Sequence, residues 1–79
     1  MYVYVLRSEK DQTQYVGMSK EPERRLEKEH NVGKVKSTKS KMPWKIIYIE
    51  YYETREEARQ REKYLKSAAG RRFRKNLGV

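Results

Sequence analysis

Four residues of this chain have the types and spacing for chemistry on a phosphodiester: Tyr4, Tyr15, Arg25 and Glu62. The apolar pair Tyr15-Val16 stops at Gly17, a polar turn Met18-Ser19-Lys20 follows, and a helix opens at Glu21-Pro22 carrying Arg24 and Arg25. A strand end, a tight turn and a basic helix set a phenol and a guanidinium close together. Arginine offers phosphate a planar fork of donors. Hydrolysis then needs a group that activates water, a group that holds the charge developing on phosphorus, and help for the departing oxygen. A tyrosine can move the proton of the attacking water if cations or hydrogen bonds lower its pKa from about 10. Arg25 can hold the non-bridging oxygens, and Glu62 can hold a hard divalent cation. One carboxylate makes a weak site, so the metal would bind mainly with the substrate's help. Plain packing is the alternative for both tyrosines, because strand tyrosines usually pack. His30, the lone histidine, suits a helix end or surface as well as catalysis.

The elements that must position these residues follow from pattern. Residues 2–7 alternate around aromatic and β-branched side chains, with Tyr2, Tyr4 and Leu6 on one face and Val3 and Val5 on the other. Residues 8–13 are a polar turn and residues 14–18 a second strand, which makes a hairpin. A first helix is expected over residues 21–30, with Pro22 in its first turn and Leu26 as its one strong apolar anchor. Arg25 can pair with Glu29, and Arg24 with Glu27. Residues 44–53 read as the strongest strand. Ile47, Ile49 and Tyr51 would lie on one face, and Trp44, Ile46, Tyr48 and Tyr52 on the other. Apolar residues on both faces place it at the centre of a sheet.

Thr54-Arg55-Glu56-Glu57 is a capping box that opens a second helix, expected to run to about residue 67. Ala58, Glu62 and Leu65 share its inner face, so a carboxylate points toward the core, which is costly unless it is paired or binds a metal. Ala68-Ala69-Gly70 should break this helix. Residues 71–77 then form a short terminal helix docked by Phe73 and Leu77, with Arg71, Arg72, Arg74 and Lys75 outside.

Length and charge bound the rest. The 79 residues allow one domain, spanning 1–79, and a chain this short buries only about 60% of its unfolded surface. There is little room for a large private substrate cavity. No cysteine is present, so disulfides and thiolate metal sites are excluded. No apolar run approaches the roughly 20 residues that span a bilayer. The opening Met1–Leu6 reads as a strand and not as a signal peptide, so a cytosolic protein without a membrane partner is expected. Twenty Lys+Arg against eleven Asp+Glu give a net charge of +9, which favours a polyanion partner. Residues 31–43 have no periodicity but carry Lys34, Lys36, Lys39 and Lys41, a segment suited to gripping phosphates or to plain solvation.

Taken in order, these residues resemble the GIY-YIG nuclease superfamily, in particular its small single-domain members related to the incision subunit of nucleotide excision repair. The first motif appears as Tyr2-Val3-Tyr4 and the second as Tyr15-Val16-Gly17, with Arg25 ten residues beyond Tyr15. Glu62 lies in Arg61-Glu62-Lys63-Tyr64-Leu65-Lys66, which is similar to the family's glutamate helix.

The resemblance implies a small α/β sandwich, a central three-stranded antiparallel sheet flanked by helices in the order β-β-α-β-α-α. It also implies Mg²⁺- or Mn²⁺-assisted hydrolysis of DNA. Tyr4 and Tyr15 would frame the water, one of them as general base, while Arg25 binds the phosphate and Glu62 the metal. Asn76 corresponds to an asparagine near the site in some members. Lys20, Arg24, Arg71 and Arg72 join the four loop lysines as expected DNA contacts.

Three departures stand out. Tyr2 replaces the first motif's glycine, which should tighten the approach to the metal. Met18 replaces a basic or hydroxyl residue, whose contact Lys20 could supply. His30 falls five after Arg25, where many members have a histidine at four, and on an ideal helix that offset turns it about 100° away. The runner-up to a nuclease is a non-catalytic nucleic-acid-binding module on the same fold. A structural or protein-interaction domain explains the charge least well.

Overall fold

The computed structural model describes residues 1–77. Three strands, β1 (Tyr2–Ser8), β2 (Gln14–Ser19) and β3 (Trp44–Tyr51), form an antiparallel sheet in the order β2-β1-β3. A one-turn helix α1 (Pro22–Arg25) continues as a π-helical turn, Leu26–His30. After β3 come α2 (Arg55–Lys66) and α3 (Ala68–Lys75). This is the expected α/β architecture with the expected order of elements. Among the described residues no helix is long and apolar enough to cross a membrane.

The central strand is β1, where Val3, Tyr4, Val5 and Leu6 are all fully buried. This corrects the placement of β3, which is an edge strand whose Ile49 and Tyr51 are exposed. Apolar residues on both faces reported that layers cover both faces, not that strands lie on both sides. Val3, Val5 and Val16 pack with Ala58 and Leu65, so α2 covers one face. On the other face Tyr4 and Leu6 pack with Trp44, Leu26 and Tyr15.

A β-bulge also corrects the facing of β3. Val5 opposes Tyr48 and Leu6 opposes Ile46, so Ile47 is the extra residue. Ile46 and Tyr48 therefore lie on opposite faces although they are two apart. Trp44 and Ile46 join the Tyr4 cluster, while Ile47, Tyr48 and Tyr52 join the Val3 cluster.

Thr54 caps α2 as its sequence implies, its Oγ1 accepting from Glu57 N at 3.2 Å. The break before α3 comes at Ser67, not at Ala68-Ala69-Gly70. Ser67 is extended and its Oγ accepts from Gly70 N at 3.3 Å, so it acts as an N-cap. Gly70 is a close-approach residue inside α3, since a Cβ there would lie 2.0 Å from Tyr64 O. Arg74 is not outside as expected. Half-buried, it donates from Nε to Leu65 O (2.8 Å) and from Nη1 to Gln14 Oε1 (2.9 Å).

Candidate active site

Adjacent strands bring Tyr4 and the second motif together, because Tyr4 pairs with Gly17 and Leu6 with Tyr15. The need for glycine is steric. A Cβ at position 17 would sit 2.7 Å from Tyr4 Oη. Tyr4, Tyr15, Gly17, Arg25 and Glu62 all line one cavity of about 230 Å³ between β2, α1 and α2. The sequence separated these side chains by up to 58 positions, and the fold gathers them around a space suited to a phosphate group.

Behind this cavity lies a buried polar chain. Tyr4 Oη is 3.0 Å from His30 Nε2, and His30 Nδ1 is 3.0 Å from Thr38 Oγ1. All three residues are fully buried. Thr38 Oγ1 donates to Val35 O at 3.3 Å, so it accepts from His30 Nδ1–H. That tautomer leaves Nε2 free to accept from the Tyr4 hydroxyl. Burial, reinforced by Arg25 and opposed by Glu29, lowers the pKa of His30, so the imidazole is neutral. Burial pushes the Tyr4 phenol up to about 12, with Arg25 pulling the other way. Tyr4 is therefore a phenol at neutral pH, not a standing phenolate.

His30 is where the expectation from an ideal helix fails. The segment after Arg25 is a π turn, closed by Asn31 N to Leu26 O at 2.9 Å. A π turn absorbs one extra residue without changing the face presented. The histidine five places on therefore occupies the face that a histidine four places on would take in an α-helix. Asn31 then fixes the far end of the loop, accepting from Trp44 N (2.6 Å) and donating to Trp44 O (3.0 Å).

Arg25 donates from Nη1 to Met18 O at 3.4 Å, and its Nε lies 3.6 Å from Glu29 Oε1. Nε is buried without a hydrogen-bond partner. Such an orphaned donor is costly. Arg24 pairs with Glu21 (3.4 Å), not with Glu27.

Two more arginines, Arg55 and Arg59, line the same cavity from α2. They stand seven and three residues before Glu62 and so share its helix face. That spacing is the signal in the sequence that could have found them, since both lie on the lateral face of α2 beside Glu62 and not on its core-facing stripe. Glu62 is not in the core. It is half-buried at the cavity wall, with Oε2 3.6 Å from Lys66 Nζ.

The remaining expected contacts are scattered. Arg24 and Lys34 line a neighbouring cavity of about 260 Å³ with Arg25 and Lys28. Lys20, Lys36 and Lys39 are exposed. Lys41 is engaged, its Nζ 3.0 Å from both Asp11 Oδ2 and Thr13 Oγ1. Asn76 caps the C-terminus of α3 and is not among the cavity's lining residues. Tyr2 also lies off the cavity, edge-on to Tyr51 with ring centroids 5.1 Å apart, so it does not narrow the approach as expected. Met18 does line it, together with Arg55 and Arg59, while Lys20 does not.

A hairpin whose second tyrosine ends at a close-approach glycine, an arginine on the next helix and a glutamate on the helix after β3 follow the motif order of the GIY-YIG domain, a nuclease family. The chain belongs to the GIY-YIG catalytic domain family, which it matches over residues 1–76. It is 37% identical over 65 residues to UPF0213 protein CPE1444 of Clostridium perfringens, covering 82% of this chain and 69% of that one. It is 44% identical over 66 residues to UPF0213 protein BLi00048/BL00536 of Bacillus licheniformis (82% and 66%). A homologue in Haloquadratum walsbyi, UPF0213 protein HQ_3675A, is 36% identical over 67 residues (84% and 73%). No solved structure gives a significant match.

Proposed function

We propose that this protein is a divalent-metal-assisted endonuclease that hydrolyses DNA phosphodiester bonds, with Tyr4 as general base backed by His30. The observation that carries this is the Tyr4–His30 hydrogen bond beside a cavity shared by Arg25 and Glu62. The bond gives the phenol an acceptor for its own proton at the wall of that cavity.

The donor set at Glu62 fits a hard cation held largely by substrate. Mg²⁺ keeps most of its waters and takes one or two carboxylates plus phosphate oxygens. Glu62 would hold it, and the ion, when bound, would neutralise charge on the phosphate. Among the described residues no three acidic or histidine side chains cluster. Metal affinity would therefore depend on bound DNA.

The chain's own residues supply the rest. Arg25 would bind a phosphate oxygen through its guanidinium, and Arg55 and Arg59 add positive charge on the α2 side. Tyr15 walls the water from the β2 side. As the water oxygen bonds to phosphorus, its proton passes to Tyr4 Oη and the Tyr4 proton passes to His30 Nε2. The P–O ester bond then breaks, and the departing oxygen takes its proton from solvent. His30 keeps Nδ1–H on Thr38 throughout, so the relay starts from one tautomer.

Purified protein would be incubated with labelled duplex, nicked, flap and branched DNA in Mg²⁺, Mn²⁺ or EDTA. Metal-dependent cuts that vanish in both Glu62→Gln and Arg25→Ala support the proposal. Cuts that survive Glu62→Gln sink it. The second reading, a non-catalytic DNA-binding module, is favoured by one observation: three arginines face a single glutamate around the cavity. It predicts salt-sensitive binding without turnover.

A further inference from the structure

A hollow of about 720 Å³ lies away from the tyrosine cavity, between the β1–β2 turn and α3. Its polar lining is Gln12, Gln14, Arg71, Arg72, Arg74 and Lys75, with no carboxylate among the described residues. Arg71, Arg72 and Lys75 are exposed and have no ion-pair partner among the described residues. Lys75 stands three residues after Arg72 and four after Arg71, so its Cβ is about 5–6 Å from each of theirs. A row of charges at that spacing suits a row of phosphates better than a single small anion.

The groove is built rather than incidental. Arg74 and Gln14 exchange hydrogen bonds, since Gln14 Nε2 also donates to Arg74 O at 3.0 Å. This ties α3 to the first residue of β2. Burial and the nearby Arg71 lower the pKa of Arg74, as expected where cations face one another without a counter-charge. Gln12 at the groove mouth has a left-handed φ of 67°, a conformation that is strained for a non-glycine residue. A glycine would be easier there, yet the position presents an amide to the groove.

Its direction links it to the catalytic cavity. Gln14 lines the groove, and the next residue, Tyr15, lines the cavity. Strand β2 therefore runs from one to the other, and Gly17 lies only about 10 Å from Gln14 along the strand.

We propose that this groove is a second DNA subsite, which holds the phosphates of the strand to one side of the scissile bond while the tyrosine cavity holds the scissile phosphate itself. The proposal rests on the DNA reading above, and its test separates the two. A labelled DNA duplex would be titrated in EDTA, where binding is read without cleavage, across a series of salt concentrations. The variants are Arg71→Ala/Arg72→Ala/Lys75→Ala and, as a milder change, Arg71→Glu. Arg74 is left in place because it holds α3. Lys45→Ala, on the far edge strand, is the control.

The triple variant should lower the slope of log K against log salt by about 2 to 3 and weaken binding at least tenfold at moderate salt, with Lys45→Ala unchanged. Arg71→Glu should weaken binding in the same direction with an unchanged melting curve. An unaltered slope in both variants overturns the subsite even if the wild-type protein cleaves DNA. A lowered slope in a protein that never cleaves supports the subsite and removes the nuclease reading instead. Binding of an RNA duplex at least tenfold tighter than DNA overturns the assignment to DNA.

Discussion

Tyr4 and His30 meet through a 3.0 Å hydrogen bond in the fully buried interior, 26 residues apart in sequence. The bond joins the central strand to the π turn and gives the phenol a proton acceptor. Replacing Tyr4 by Phe removes the acceptor for the water proton while keeping the ring. DNA cleavage should fall at least 100-fold. Stability should fall by about 1–2 kcal/mol, because His30 Nε2 loses its partner. Single-turnover cleavage and a denaturant titration measure the two effects separately. Full activity in Tyr4→Phe would transfer the base role to Tyr15.

The pH dependence follows from His30. Burial and Arg25 hold its pKa below the ordinary value of about 6.5, so the folded protein takes this proton less readily than the unfolded chain does. Stability from a neutral His30 is whole above about 6.5 and declines as pH falls from there to the depressed folded value. Cleavage should follow the same direction, flat at neutral pH and falling once His30 is protonated. A His30→Gln variant should lose that acid limb of the melting-temperature profile, which a pH series of thermal melts would reveal.

Much of this was legible before any coordinates. The hairpin and the Thr54 cap stand out because alternation and capping are local signals, and Tyr4, Tyr15, Arg25 and Glu62, singled out by type and spacing, line one cavity. What was illegible depended on non-ideal geometry. A bulge at Ile47 reversed the facing of half of β3, and a π turn returned His30 to the face that an ideal helix denies it. Arg55 and Arg59 were missed for a different reason. A basic residue on an exposed helix face looks like any solvated cation until the fold shows what it faces.

The π turn makes its own prediction. If its function is to absorb one residue, deletion of Lys28, which is exposed, should convert it to an α-helical turn and leave His30 facing Tyr4. The deletion variant should fold with equal or higher melting temperature and retain cleavage within about tenfold. Insertion of one alanine after Lys28 should instead swing His30 off Tyr4 and abolish activity. Loss of folding in the deletion variant would show that the π geometry is required for itself.

Gly17 tests the close packing of the two tyrosine motifs. With a Cβ only 2.7 Å from Tyr4 Oη, Gly17→Ala must displace the phenol or open β1 from β2. Overpacking of this kind costs about 1–3 kcal/mol. Cleavage should fall further than stability does, because the displaced group is the proposed base. A variant that melts lower but cleaves DNA at the wild-type rate would argue that Tyr4 has no chemical role.

Glu50 holds α2 at its working height. Its carboxylate takes Arg61 Nε (2.9 Å) and Nη2 (3.0 Å), Tyr52 Oη (2.7 Å) and Tyr48 Oη. Burial alone would raise the Glu50 pKa, but the bonds from Arg61, Tyr48 and Tyr52 outweigh it and hold the carboxyl below its ordinary value. The Arg61 guanidinium also lies over the Tyr64 and Phe73 rings, at 5.0 and 5.3 Å from their centroids. Arg61 precedes Glu62, so this network sets the rotation of the helix that presents the proposed metal ligand.

Glu50→Ala strands one guanidinium and two hydroxyls and should cost about 2–3 kcal/mol. Glu50→Gln keeps the volume and should recover part of that. The wild-type contribution is present above the unfolded carboxyl pKa of about 4.3 and is lost as pH falls through the lower folded value. Chemical denaturation of wild type and both variants at pH 7 and pH 3 would show the difference shrinking in acid. A gap of the same size at both pH values would mean that the charge on Glu50 contributes nothing to the fold.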